Sequence, residues 1–96
     1  MTTFEYDGKD YELKLTRAGI RAAEAAGLST SELGDKPFSA VSLLFFAALH
    51  PYRVNYAKAT KMLDELLDAQ TVTFEDLFTE LAEAYNELFG LGGSED

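Results

Sequence analysis

The stretch from Pro37 to Leu49, PFSAVSLLFFAAL, is apolar on nearly every side when wound as a helix, and no other feature constrains the fold of this chain as strongly. A helix with one apolar stripe can lie on a surface, whereas one that is apolar all round needs cover from several neighbours. Its thirteen residues fall short of the ~20 needed to cross a bilayer, so no membrane partner is expected. Cover must then come from the chain itself or from another protein. At 96 residues a single domain is expected, and a domain of that size buries roughly 60–65% of its unfolded surface. Such a domain is not expected to seal every face of this helix.

The flanking segments read as its packing partners. Phe4 and Tyr6, then Tyr11, Leu13 and Leu15, alternate with polar residues on either side of Asp7-Gly8, which predicts strands near 2–6 and 10–15 joined by a hairpin turn. Thr16 is placed to cap a helix built of Ala and Gly around one large residue, Ile20, with Gly27 at its C-terminal end and Leu28 folding back over the last turn. So small a helix can approach a neighbour closely. Gly34 breaks the chain, Asp35 can cap, and Pro37 suits a first helical turn, so the apolar helix is expected over 37–49, stopped by Pro51. Asn55 can cap a third helix over 56–69, with Tyr56, Ala59, Met62, Leu63, Leu66 and Leu67 on one side. Thr73 caps a last helix over 74–89, whose Phe74, Leu77, Phe78, Leu81, Ala82, Tyr85, Leu88 and Phe89 form the clearest amphipathic stripe. The fold class is therefore mainly α: one small domain over 1–90 of about four helices, with an N-terminal β-hairpin within 2–15 and a flexible acidic tail over 91–96.

Charge is distributed unevenly. Residues 1–61 hold seven acids and eight bases, while residues 62–96 hold ten acids and no base. Such a field repels nucleic acid and anionic lipid and favours basic partners. The sequence has no cysteine, which excludes disulfides and thiolate metal sites and fits a reducing cytoplasm. The start, MTTFEYDGKDYE, has no basic stretch leading into an apolar one and is not read as a signal peptide.

Chemistry-bearing patterns are few. His50 stands at a helix end with no second His or Cys, which reads as a capping or surface residue rather than a metal ligand. Asp7 and Asp10 lack the rest of a calcium loop. Gly90, Gly92 and Gly93 follow a helix instead of linking a strand to a helix, so they are no phosphate cradle. Exposed helical carboxylates keep ordinary acidity unless buried. No enzyme, metal or cofactor is expected.

The order of elements resembles the tail assembly chaperones of long-tailed bacteriophages and related prophages. The likeness covers about residues 10–90 and rests on YELKLTRAGIRAAEAAGLS, PFSAVSLLFFAALHP, NYAKATKMLDELLDA and TVTFEDLFTELAEAYNELFG. Ile20, Arg21, Glu24 and Gly27 match the family's first helix, and Phe38 through Leu49 its apolar helix. Lys58 departs from the family pattern in the third helix, where an acid would be more usual. The resemblance implies a non-enzymatic role in the host cytoplasm, outside the mature virion: binding the long helical tape measure protein, keeping it soluble, and recruiting tail tube subunits.

Phe45, Phe46, Leu49 and Tyr52 are the expected apolar contact patch, with a place in the core as the competing reading. Arg17 and Arg21 are expected to meet Asp76, Glu80 and Glu83, either within the chain or from a second copy, the latter giving self-association. Two other functions fit the acidity and size: a mimic of DNA phosphates that blocks a nucleic-acid-binding protein, and a structural head-tail component.

Overall fold

Two glycine-tolerant positions start the architecture. Asp7 (φ 55°) and Gly8 (φ 77°) both adopt left-handed backbone, as a two-residue hairpin turn requires. They join β1 (Thr3–Tyr6) to β2 (Lys9–Glu12), antiparallel, with Tyr6 opposite Lys9 and Phe4 opposite Tyr11. The computed structural model describes residues 3–27 and 36–89. The expected second strand ran to Leu15, yet it ends at Glu12, whose partner Thr3 is the first residue of β1. Beyond that point the chain leaves the ladder for the end of the apolar helix, where the Lys14 amide donates to the Ala48 carbonyl at 3.4 Å. Leu13 and Leu15 are buried all the same.

Helix α1 (Arg17–Ala25) begins where the Thr16 hydroxyl accepts the Gly19 amide at 3.0 Å, the expected cap. It buries Gly19, Ile20 and Ala23. Gly27, at φ 122°, carries the chain out of the helix. The roles expected of Leu28, Gly34 and Asp35 lie outside the described residues, as does the tail over 91–96. Helix α2 (Pro37–Ala48) follows, with Pro37 in its first turn and Lys36 at the cap position without a side-chain bond. Eight of its twelve residues are buried, which makes it the centre of the domain.

A 3-10 turn (His50–Tyr52) and a left-handed Arg53 (φ 59°) reverse the chain. Helix α3 (Tyr56–Asp68) starts on Asn55, whose side chain accepts the Lys58 amide at 2.8 Å. It closes with Gln70 at φ 60° and the Thr71 amide on the Leu66 carbonyl at 3.0 Å, a Schellman end built without glycine. Helix α4 (Phe74–Phe89) starts on Thr73, which accepts the Asp76 amide at 3.2 Å. Leu77, Leu81 and Tyr85 point into the core. The expected mainly α domain of four helices with an N-terminal hairpin is what the described residues form. Among them no helix is long and apolar enough to cross a membrane.

Helices α1, α3 and α4 all pack against α2, and the hairpin closes a further side. The Phe4 ring lies 5.8 Å from Phe45 and 5.5 Å from Tyr11. Tyr11 in turn meets Tyr52 edge-on at 4.9 Å. The small-residue helix does approach closely: a Cβ at Gly19 would overlap the Ala47 carbonyl oxygen and sit 3.2 Å from both the Ala47 carbonyl carbon and the His50 Cβ. Alanine normally exceeds glycine in helix stability by up to ~1 kcal/mol. Here the overlap reverses that sign, because backbone rather than a movable side chain stands in the way. Gly19→Ala should lower stability by about 1–3 kcal/mol, read as a lower urea midpoint; an unchanged or raised midpoint would contradict this packing.

Candidate functional site

The expected patch of Phe45, Phe46, Leu49 and Tyr52 divides between core and surface. Phe45 is 1% exposed and Leu49 0%, so both are core residues, and the contact role expected of them is corrected. Phe45 points at the hairpin and stacks on Phe4, while Leu49 belongs to the central cluster at the end of α2. Tyr52 is half-buried and holds the hairpin: its hydroxyl accepts the Glu12 amide at 2.9 Å. The Lys9 ammonium lies 5.4 Å above the Tyr11 ring and 5.7 Å above that of Tyr52, a cation–π clasp on the same aromatic column. Phe46, like Tyr52, keeps part of its side chain outside the core. It is half-buried and meets Tyr56 edge-on at 5.6 Å.

Tyr56, read from sequence as part of the inner face of α3, is 40% exposed. It occupies the first position of its helix, where no preceding turn covers it. Beside the Phe46 ring runs a shallow groove of about 550 Å³ lined by Phe46, His50, Pro51, Arg53, Val54 and Asn55. Its rim is basic, with Arg53 and His50 exposed.

A second aromatic surface lies at the other end of α2, and sequence reasoning did not single it out. Phe38 is 53% exposed. Its ring is 5.5 Å from Phe74, which stacks at 6.3 Å on Phe78; both of these are half-buried. The available signal was position: Phe38 and Phe74 each open a helix, and Phe78 stands at the border of the α4 stripe.

Arg17 and Arg21 are exposed on α1, Asp76 and Glu83 are exposed on α4, and Glu80 is half-buried there. Helix α1 packs on α2 and the 3-10 turn, and α4 packs on α2 as well. The described residues show no ion pair between either arginine and Asp76 or Glu83, so that pairing within the chain is not part of the fold. Another carboxylate does find a partner: the Tyr6 hydroxyl donates to Glu65 Oε1 at 2.6 Å, tying the hairpin to α3. That hydrogen bond, with lesser contributions from desolvation and the Glu65 charge, pushes the Tyr6 hydroxyl from 10.0 to about 12. Among the described residues no three His, Asp or Glu side chains converge as a metal site would require.

The molecule so described is a small helical domain whose core ends in two aromatic surfaces. It belongs to the family described as Domain of unknown function (DUF5055), whose model matches residues 1–92. No curated protein and no solved structure matches the chain.

Two measurements check these assignments. Phe45→Ala should cost about 3–5 kcal/mol as a core truncation, and Phe46→Ala roughly half that or less in the same denaturant titration; equal losses would contradict the division between them. In an ultraviolet pH titration a tyrosine step should appear at about pH 12, and Tyr6→Phe should remove that step. Because its folded pKa is raised, the stabilisation from the Tyr6–Glu65 bond is complete below pH 10 and is lost between pH 10 and about 12.

Proposed function

We propose that this chain is a non-enzymatic binding protein of the tail assembly chaperone type, which covers the apolar face of a tape measure protein until tail tube subunits assemble around it. The observation that carries this reading is the incomplete cover of α2: a core sealed along the middle of the helix gives way to Phe38 at 53% exposure at one end and to Phe46 beside a 40% exposed Tyr56 at the other. Exposed aromatic clusters on a small protein mark places where another molecule is bound. A long unpaired amphipathic helix has the converse problem, an apolar stripe that aggregates until it is covered. Docking of such a helix on a preformed apolar surface meets both needs.

Charge supports the same role. The described residues of α3 and α4 carry Asp64, Glu65, Asp68, Glu75, Asp76, Glu80, Glu83 and Glu87, with no base after Lys61. A negative exterior keeps a chaperone and its client dispersed. The place of action in this reading is the bacterial cytoplasm, before the particle is complete.

Co-expression tests it. A tape measure fragment that is insoluble alone should become largely soluble with this chain, and pull-down should recover the two together. Unchanged solubility would reject the proposal. Capture of a basic nucleic-acid-binding protein would favour the phosphate-mimic reading, and presence of the chain in purified particles would favour the structural head-tail reading.

A further inference from the structure

We propose that the outer edge of β1 is a docking site for an extended segment of another protein that carries lysine or arginine and adds to the hairpin as a third strand. The backbone of the edge sets the conformation of the occupant, and the carboxylates beside it set its charge. The inference goes beyond the chaperone reading and does not rest on it.

The Glu12 amide donates to the Tyr52 hydroxyl at 2.9 Å, so it points away from β1. In an antiparallel ladder a residue whose N–H faces outward belongs to a non-hydrogen-bonded pair, and such pairs alternate with hydrogen-bonded ones. Thr3 with Glu12 and Glu5 with Asp10 are therefore the outward-facing pairs, while Phe4 with Tyr11 and Tyr6 with Lys9 exchange the ladder bonds. The two edges of the hairpin then differ. On β2 the Tyr52 hydroxyl occupies the Glu12 amide. On β1 the N–H and C=O groups of Thr3 and Glu5 have no partner among the described residues. A row of unpaired strand groups is a template for another strand, which docks by β-augmentation. A helix cannot use it, because its own backbone groups are already paired.

Charge selects among extended segments. Thr3, Glu5, Asp10 and Glu12 share the exposed face of the hairpin. Glu5 stands directly opposite Asp10, and like charges so placed destabilise a strand pair. Among the described residues no ion pair relieves Glu5, Asp10 or Glu12, and a groove of about 420 Å³ has all three in its walls. Lys9 is not in those walls. It alternates onto the other face with Phe4 and Tyr11, and its ammonium lies over the Tyr11 and Tyr52 rings. A cation on the added strand, next to Glu5, offsets the repulsion. A second copy of this chain does not, since pairing β1 with its twin brings another Glu5 to the same edge.

The test uses the full chain and three labelled peptides: one alternating lysine with valine, a twin with glutamate for lysine, and the lysine peptide with every second backbone amide N-methylated. The lysine peptide should bind and slow hydrogen exchange at the Thr3 and Glu5 amides. The glutamate twin should not bind, and N-methylation should weaken binding about tenfold or more, because it removes ladder bonds and leaves the charge in place. Glu5→Lys should weaken binding and flatten its dependence on salt. Thr3→Pro should weaken it with far-UV circular dichroism unchanged, since it removes an outward N–H at the first residue of the strand, where proline is accepted. Equal binding of the lysine and glutamate twins would overturn the proposal. So would full binding of the N-methylated peptide, which would reduce the attraction to charge alone, or unchanged exchange at Thr3 and Glu5. Self-association of the free chain that protects those two amides would overturn it as well, assigning the edge to a second copy.

Discussion

A helix that is apolar on all sides has to be covered on all sides, and every other element of this domain is placed by that requirement. Helix α1 covers α2 by close approach, because Gly19 lets the two backbones meet at Ala47. The hairpin covers a further face with rings, Phe4 resting on Phe45. Helices α3 and α4 contribute Ala59, Met62, Leu63, Leu66, Leu77 and Leu81. These solutions differ in kind. A small helix can come near only where a Cβ is missing, while a two-stranded hairpin, marginal alone, persists because its aromatic face is buried against a helix.

The hairpin shows how a weak element is held from several directions. Its turn is fixed by Asp7 and Gly8, its outer edge by the Tyr52 hydroxyl on the Glu12 amide, and its turn-proximal end by Tyr6 on Glu65. The last contact also accounts for one feature of α3 that helix energetics disfavours. Acids gather late in that helix, against its dipole, and one of them is the acceptor that anchors the hairpin.

Cover runs out at the two ends of α2, where first-turn residues have no preceding turn to pack on. Phe38 and Tyr56 are exposed for that reason, and each recruits the rings within reach: Phe74 for one, Phe46 for the other. Surface chemistry follows from the same placement. The end near the 3-10 turn carries His50 and Arg53 beside Phe46, and at the other end Lys36, Glu75 and Asp76 stand close in sequence to the rings of Phe38 and Phe74.

The caps at Thr16, Asn55 and Thr73, the turn at Asp7-Gly8 and the inward stripe of α4 were legible in sequence, because each depends on residues within a few positions of one another. The central place of α2 was legible too, since no surface helix lacks a polar side. Which of its large residues stayed outside was not. Phe45 and Phe46 are neighbours of the same type, and only the position of the hairpin buries one and leaves the other at a rim. Phe38, Phe74 and Phe78 come from two helices far apart in the chain, and Tyr6 meets Glu65 across 59 positions. Local chemistry therefore set the elements and their ends by short-range hydrogen bonds and backbone sterics. The tertiary arrangement alone decided which apolar side chains remained uncovered, because exposure depends on what a distant segment happens to reach.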